Sequence, residues 1–427
     1  MILVADSPSK WRGSSGLDRE AVRVRGHDVG RGGRRNVVAA AATLMTAAAC
    51  VLSATATPAG AQTREAAATA RAAGDNVVNL NEIQTINTHN SYKRETSLAE
   101  QAAYDEITGN PGAYRNGLAY SHASLADQFE HQNVRGIELD LRPDPEGGLY
   151  RYPMVRRDAG LGPLTDPAWS EPGIKVFHVA DGDYNSTCVR FVSCLQQVKA
   201  WSDAHPTHVP ITIMLELKGS DRAFAERGGV VVPPWDAAAL DAMDREIRSV
   251  FADDEMVTPD DVRRPGRTLN ESVTQVGWPT LAQARGQVMF VFNNVGNSSP
   301  YTDNGHPNLE GRIAFVNAAP GQPNAAYRGR DEVIQLFDEI QDLVRRGYFV
   351  RTRSDYSLST VREEDFSLIE ASLGSGAQVI STDFPAVGMA ARYDSDYVAQ
   401  LPGAVPARCN PVNAPRTCRN SLLEPAN

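Results

Sequence analysis

Arg135-Gly136-Ile137-Glu138-Leu139-Asp140-Leu141-Arg142 alternates with a period of two, the pattern of a strand. Ile137, Leu139 and Leu141 share one face, and Glu138, Asp140 and Arg142 the other. Similar runs recur at 83–88, 175–179, 211–217, 288–293, 313–317, 348–352 and 378–382, so the spacing predicts eight strands with 135–141 included. Helical periodicity lies between them, most clearly at 125–132, 192–204, 237–251, 332–346 and 363–373. Strand-then-helix repetition implies a parallel sheet with crossover helices, and eight such units close a (β/α)8 TIM barrel. A doubly wound open sheet is the competing arrangement, but no Gly-rich dinucleotide fingerprint follows any strand.

In a barrel the apolar face of 135–142 meets the helices, which turns Glu138 and Asp140 inward. Two buried acids two residues apart are costly unless a cation or basic groups lie between them, and Arg142 alone is one such partner. In Ile211-Thr212-Ile213-Met214-Leu215-Glu216-Leu217-Lys218 the same alternation turns Glu216 and Lys218 inward. Three converging carboxylates call for a metal. Asn90 adds a neutral oxygen, so the expected ligands Asn90, Glu138, Asp140 and Glu216 are all hard donors, and one Ca2+ is expected in preference to Mg2+. His89 adjoins Asn90, and His178 ends the run after the carboxylate pair. A lone histidine near a strand end is more often structural than catalytic. Two beside a metal site supply what phosphodiester cleavage needs, charge neutralisation at the phosphoryl oxygens and a proton for the leaving oxygen. His122, His131, His205, His208 and His306 fall in loops or helices and take no role.

The chain has 427 residues, 42 % of them hydrophobic, enough for a large globular core. Residues 1–61 have the features of a signal peptide: Arg31, Arg34 and Arg35, an Ala/Val/Leu-rich run at 37–54, and small residues ending at Ala61, after which cleavage is expected. The Arg34-Arg35 pair leaves the twin-arginine route open. Secretion is therefore expected, followed by a loose segment at 62–79, a barrel at 80–395 and a disulfide-tied tail at 396–427 with no further strand pattern. Without residues 1–61 the chain keeps 34 basic against 48 acidic residues, about −14 net, which argues against nucleic-acid binding and against tight docking on an anionic membrane. Membrane contact would be transient, and no protein partner is expected. Four cysteines remain, and the local pairs Cys188 with Cys194 and Cys409 with Cys418 are the simplest of three connectivities.

Long connections at 93–124, 142–174, 218–235 and 294–311 follow strands one, two, four and five, and so rise from the C-terminal rim where such barrels work. Phe224 and the run Val230-Val231-Val232-Pro233-Pro234-Trp235 would insert at a lipid interface if exposed, although such runs more often pack against a neighbouring loop. Lys218 and the face Arg351, Arg353, Asp355 are candidates to hold phosphate or inositol hydroxyls, with Lys218 and Arg353 foremost; a structural ion pair is an equally good reading for the arginines.

Thr88-His89-Asn90-Ser91-Tyr92, Gly136-Ile137-Glu138-Leu139-Asp140, Phe177-His178 and Leu215-Glu216 together resemble the catalytic half of the phosphatidylinositol-specific phospholipases C, in the calcium-dependent secreted bacterial branch. The resemblance runs from about Leu80 to Met389. It implies a distorted TIM barrel and attack of the inositol 2-hydroxyl on phosphorus, with a carboxylate, Glu138 or Glu216, as base. His89 would stabilise the charged phosphorus and His178 would protonate the diacylglycerol oxygen, leaving a cyclic inositol phosphate. The extra lipid- and calcium-binding modules of animal members have no counterpart here. Glycerophosphodiester phosphodiesterases share the barrel and its metal site but usually begin with His-Arg-Gly where this chain has His89-Asn90-Ser91. A non-catalytic calcium-dependent module for inositol phosphates or lipid headgroups is a third reading, and it leaves the two histidines unexplained.

Overall fold

The structure is a computed structural model that describes residues 68–294, 299–303, 305–356 and 358–424, so the expected signal segment 1–61 lies outside the described residues. Its strands are β1 (Ile83–Thr88), β2 (Val134–Arg142), β3 (Lys175–Val176), β4 (Ile211–Leu217), β5 (Val288–Phe292), β6 (Tyr327–Gly329), β7 (Phe349–Arg353), β8 (Val379–Thr382) and β9 (Ala407–Cys409). Hydrogen bonds order seven of them β5-β4-β2-β1-β8-β7-β6, all parallel. Residues 313–317 fill the gap between β5 and β6 with single parallel bridges, Val291 to Phe315 and Asn317 to Tyr327. Seven strands and this bridging segment make eight parallel staves around one interior, a distorted (β/α)8 TIM barrel.

The ring differs from the expected one at two staves. The run 175–179 does not enter it: β3 is a two-residue strand lying antiparallel on the end of β2, with Leu141 opposite Val176, and β2 pairs directly with β4. His178 therefore sits in a loop above the rim. The place is taken by β6, only three residues long, which the sequence reading passes over. The tail also contributes a strand where none was expected, β9 running antiparallel to β1.

Helices Leu125–His131, Phe191–Ala204, Ala237–Arg248 and Val333–Arg345 occupy the expected stretches. The last expected helix is broken into Leu358–Arg362 and Ser367–Ser375. Their apolar faces meet the outward residues of the strands, and Ile137, Leu139, Leu141, Ile213 and Leu215 are all fully buried. Both disulfides join the expected local pairs, Cys188 to Cys194 and Cys409 to Cys418. No helix among the described residues is long and apolar enough to cross a membrane.

Candidate active site at the barrel rim

Register brings the acids together. Asp140 of β2 is the direct partner of Glu216 in β4, and Glu138 lies two residues deeper on the same face. Oxygens of Glu138, Asp140 and Glu216 all lie within 4.8 Å of one another. Glu138 and Asp140 are fully buried, while the Glu216 side chain is 24 % exposed and so opens the cluster to solvent. Arg142, the partner first considered for the pair, turns away to the carbonyls of Gly219 and His178 and to Asp221. The cations that do meet the cluster are Arg351, whose Nη2 is 3.3 Å from Glu138 Oε2, and Lys218, whose Nζ is 3.2 Å from Asp140 Oδ2 and 3.1 Å from Glu216 Oε1.

These contacts do not satisfy the acids. Among the described residues, Glu138 Oε1 and both Asp140 oxygens accept no hydrogen bond, although Lys218 stands at ion-pair distance from Oδ2. Burial and the neighbouring acids Glu216 and Asp140 hold the Glu138 carboxyl well above its ordinary range, against the pull of Arg351. Asp140 is raised for the same reasons, against Lys218. At Glu216 burial also pushes upward, but Lys218, His89 and the Asn293 amide together outweigh it and the carboxyl falls to about 2. Buried carboxylate oxygens lacking donors, in an all-oxygen set, fit a hard divalent cation.

Asn90 joins this set through Tyr92, whose hydroxyl donates to Asn90 Oδ1 at 3.1 Å and lies against Asp140. The turn just beyond β1 that presents it puts Asn90 at φ +45°, a left-handed conformation that asparagine tolerates better than most residues. Ser91 locks that turn to β2: its N–H donates to the Glu138 carbonyl and its Oγ accepts from the Glu138 N–H.

Each histidine is held by a buried carboxylate. His89 Nδ1 is 2.8 Å from Asp383 Oδ1, which leaves Nε2 facing the cluster, 3.8 Å from Glu138 Oε1. Burial and the nearby Arg353 guanidinium push His89 down to about 4, against the pull of Asp383. His178 Nδ1 is 3.0 Å from Asp183 Oδ2, and the ring is near enough to pull the Asp140 carboxyl downward. Burial pushes Asp183 upward, but Lys93, His178 and Tyr114 together bring it below its ordinary value. Arg353 Nη2 stands 3.6 Å from Asp383 Oδ2, 3.7 Å from Asp355 Oδ1 and 3.5 Å from His89 Nδ1, so it is ion-paired within the barrel as well as next to His89.

All the site residues expected from sequence thus lie on one rim. Four others were missed. Asp383 directly follows β8, so the strand-end rule that found His89 reaches it too. Asp183, Lys93 and His122 carry no such signal: Asp183 is set by the tight turn after His178, and His122 Nε2 bonds the His89 carbonyl at 2.9 Å from a distant loop.

The model of the Ca2+-dependent phosphoinositide phospholipase C family matches residues 78–411. The chain belongs to that family. It is an enzyme of the Ca2+-dependent phosphatidylinositol-specific phospholipase C type, and the family match leaves the phosphodiesterase and binding-module alternatives without support. Among solved structures, the phospholipase is similar to a calcium-dependent phosphoinositol-specific phospholipase C from Pseudomonas sp., at 16 % identity over 79 % of this chain and 96 % of that one, with a TM-score of 0.47. A Ca2+-dependent counterpart from Streptomyces antibioticus shows 19 % identity over 72 % and 96 %, with a TM-score of 0.45. A Staphylococcus aureus enzyme shows 11 % over 77 % and 99 %, with a TM-score of 0.40. No curated protein matches the phospholipase in sequence.

Proposed function

We propose that this rim cleaves phosphatidylinositol into diacylglycerol and a cyclic inositol phosphate, with Asn90, Glu138, Asp140 and Glu216 holding one Ca2+. The ion, when bound, supplies charge neutralisation at a phosphoryl oxygen and acidifies the inositol 2-hydroxyl. Glu138 takes the 2-hydroxyl proton on Oε1, the oxygen that Arg351 leaves free. The alkoxide attacks phosphorus. His89 faces the phosphoryl group through Nε2, and an arriving phosphodiester anion joins Asp383 in favouring its charged form. As the bond from phosphorus to the glycerol oxygen breaks, His178 gives that oxygen a proton from Nε2, its Nδ1 being fixed by Asp183. Lys218 and Arg353 then meet phosphate or inositol hydroxyls.

The observation that carries this reading is the pair of imidazoles, each held through Nδ1 by a buried carboxylate, His89 with Nε2 3.8 Å from Glu138 and His178 near enough to act on Asp140. A binding module has no use for that arrangement. Secretion rests on the sequence of residues 1–61 and accords with the two disulfides. Transient membrane contact is supported by Leu98 at the start of the helix after β1 and by Val231 and Val387 on the connections after β4 and β8, exposed by 82 %, 75 % and 80 %. Within the Val230 to Trp235 run, Val232 and Trp235 are buried, as is Phe224, Val230 and Pro233 are half-buried, and Val231 and Pro234 are exposed.

The test is release of water-soluble inositol phosphate from phosphatidylinositol vesicles, with calcium and then with a chelator. Release should require calcium and should fall on the order of 10²–10⁴-fold in His178→Ala. Unchanged release by that variant would remove His178 from the mechanism.

A further inference from the structure

The Lys218 ammonium lies between two of the proposed metal ligands, near one oxygen of each. Its position follows from the sheet. Lys218 is the next inward residue after Glu216, and its backbone is pinned on both sides. Its N–H donates to the Leu141 carbonyl at 3.0 Å, and its own carbonyl accepts from Trp235 Nε1 at 3.1 Å. The main chain therefore cannot withdraw the charge, whereas the four-carbon stem, 20 % exposed, is free to swing toward the rim. The other cation at the cluster is not free in this way: Arg351 is buried and also bound to Asp331 and Ser381.

We propose that Lys218 is a tethered competitor of the divalent cation, displaced from Asp140 and Glu216 when the ion binds and received by the phosphate of the substrate. This rests on the metal-site reading above. A single oxygen cannot give its best lone pair to both an ammonium and a metal ion, and two cations at one carboxylate repel. The ion is therefore opposed by Lys218 in the free enzyme, and less so once a phosphate anion stands nearby to take the ammonium. Calcium and the anionic headgroup bind with positive coupling, each strengthening the other by the same factor. The consequence is an enzyme that holds its metal most firmly when a substrate phosphate is present.

The experiment is calcium titration by calorimetry of the full chain without its signal segment, with and without inositol 1-phosphate. Without the phosphate, Lys218→Met should bind calcium roughly tenfold or more tightly than the wild type, since the site gains negative charge and loses its competitor. Lys218→Arg should stay near the wild type. Adding inositol 1-phosphate should strengthen calcium binding in the wild type and leave Lys218→Met nearly unchanged. Equal or weaker binding by Lys218→Met, in a protein that binds calcium through Glu216, overturns the proposal. A wild type that binds no calcium, or that binds it as well after Glu216→Gln, overturns the metal-site reading itself. Circular dichroism checks that each variant folds, and Lys218→Gln serves if the methionine variant does not.

Discussion

Lys93 and Asp183 are both fully buried, and their charges meet at 3.1 Å beneath His178. Lys93 also donates to the Leu118 carbonyl at 2.7 Å, and Asp183 accepts from the Tyr114 hydroxyl at 2.8 Å, so nearly every bond of the pair is made inside the protein. Such a pair adds little compared with a well-packed apolar one, but breaking it from one side leaves a bare charge in a dry place. Lys93→Met is therefore expected to cost about 3–5 kcal/mol in a urea titration, and adding Asp183→Asn should recover part of that loss. Activity should not recover in the double variant, because an amide replaces the carboxylate that holds His178 Nδ1. Recovery of both together would show that Lys93 serves packing alone. His178 is legible in the sequence but this support is not, because Lys93 lies in a loop 90 residues before Asp183 in the chain.

The seam between β1 and β2 sets the site at the level of elements. The register slips by one residue between Ile86 and Asn87, which brings Asn87 directly opposite Gly136. A Cβ at Gly136 would lie 2.6 Å from Asn87 Oδ1 and 3.1 Å from Asn87 Cβ, so the two strands approach this closely because the glycine has no side chain. Two positions onward lie site residues, His89 just past the end of β1 and Glu138 within β2. Gly136→Ala should destabilise the protein by about 1–3 kcal/mol, and the loss of activity should exceed what the unfolded fraction accounts for. A change below about 0.5 kcal/mol would mean that Asn87 swings aside freely. Alternation made β2 and β4 legible, including which acids point inward. It could not distinguish a stave from the short antiparallel arm at 175–176, because both have a period of two. It also missed β6, whose three residues are too few to show any period. The closing segment at 313–317 was legible as a strand because Ile313-Ala314-Phe315-Val316 is a short continuous apolar run.

At the scale of the molecule, the C-terminal segment around Glu424 is part of the barrel floor. Arg135, the second residue of β2, is fully buried: its guanidinium packs 4.6 Å from the Trp201 ring and donates to the carbonyls of Phe129 and Val134 and to Glu424. The other oxygen of Glu424 accepts from the Val209 N–H at 2.9 Å, just before β4. One carboxylate thus ties together the N-terminal ends of the two strands whose C-terminal ends carry Asp140 and Glu216. Composition marked the tail as polar and disulfide-bound, but the partner that fixes it is a charge on a strand nearly 300 residues earlier, which no local pattern reveals. Glu424→Ala leaves Arg135 buried without its counter-charge and should cost about 3–5 kcal/mol, seen as a lower midpoint in thermal or urea unfolding. Because this contact lies at the opposite end of the strands from the acids, calcium affinity measured well below the melting temperature should be unchanged. Weakened calcium binding in the still-folded variant would instead mean that the floor sets the spacing of the rim carboxylates, with β2 and β4 shifting together as rigid rods.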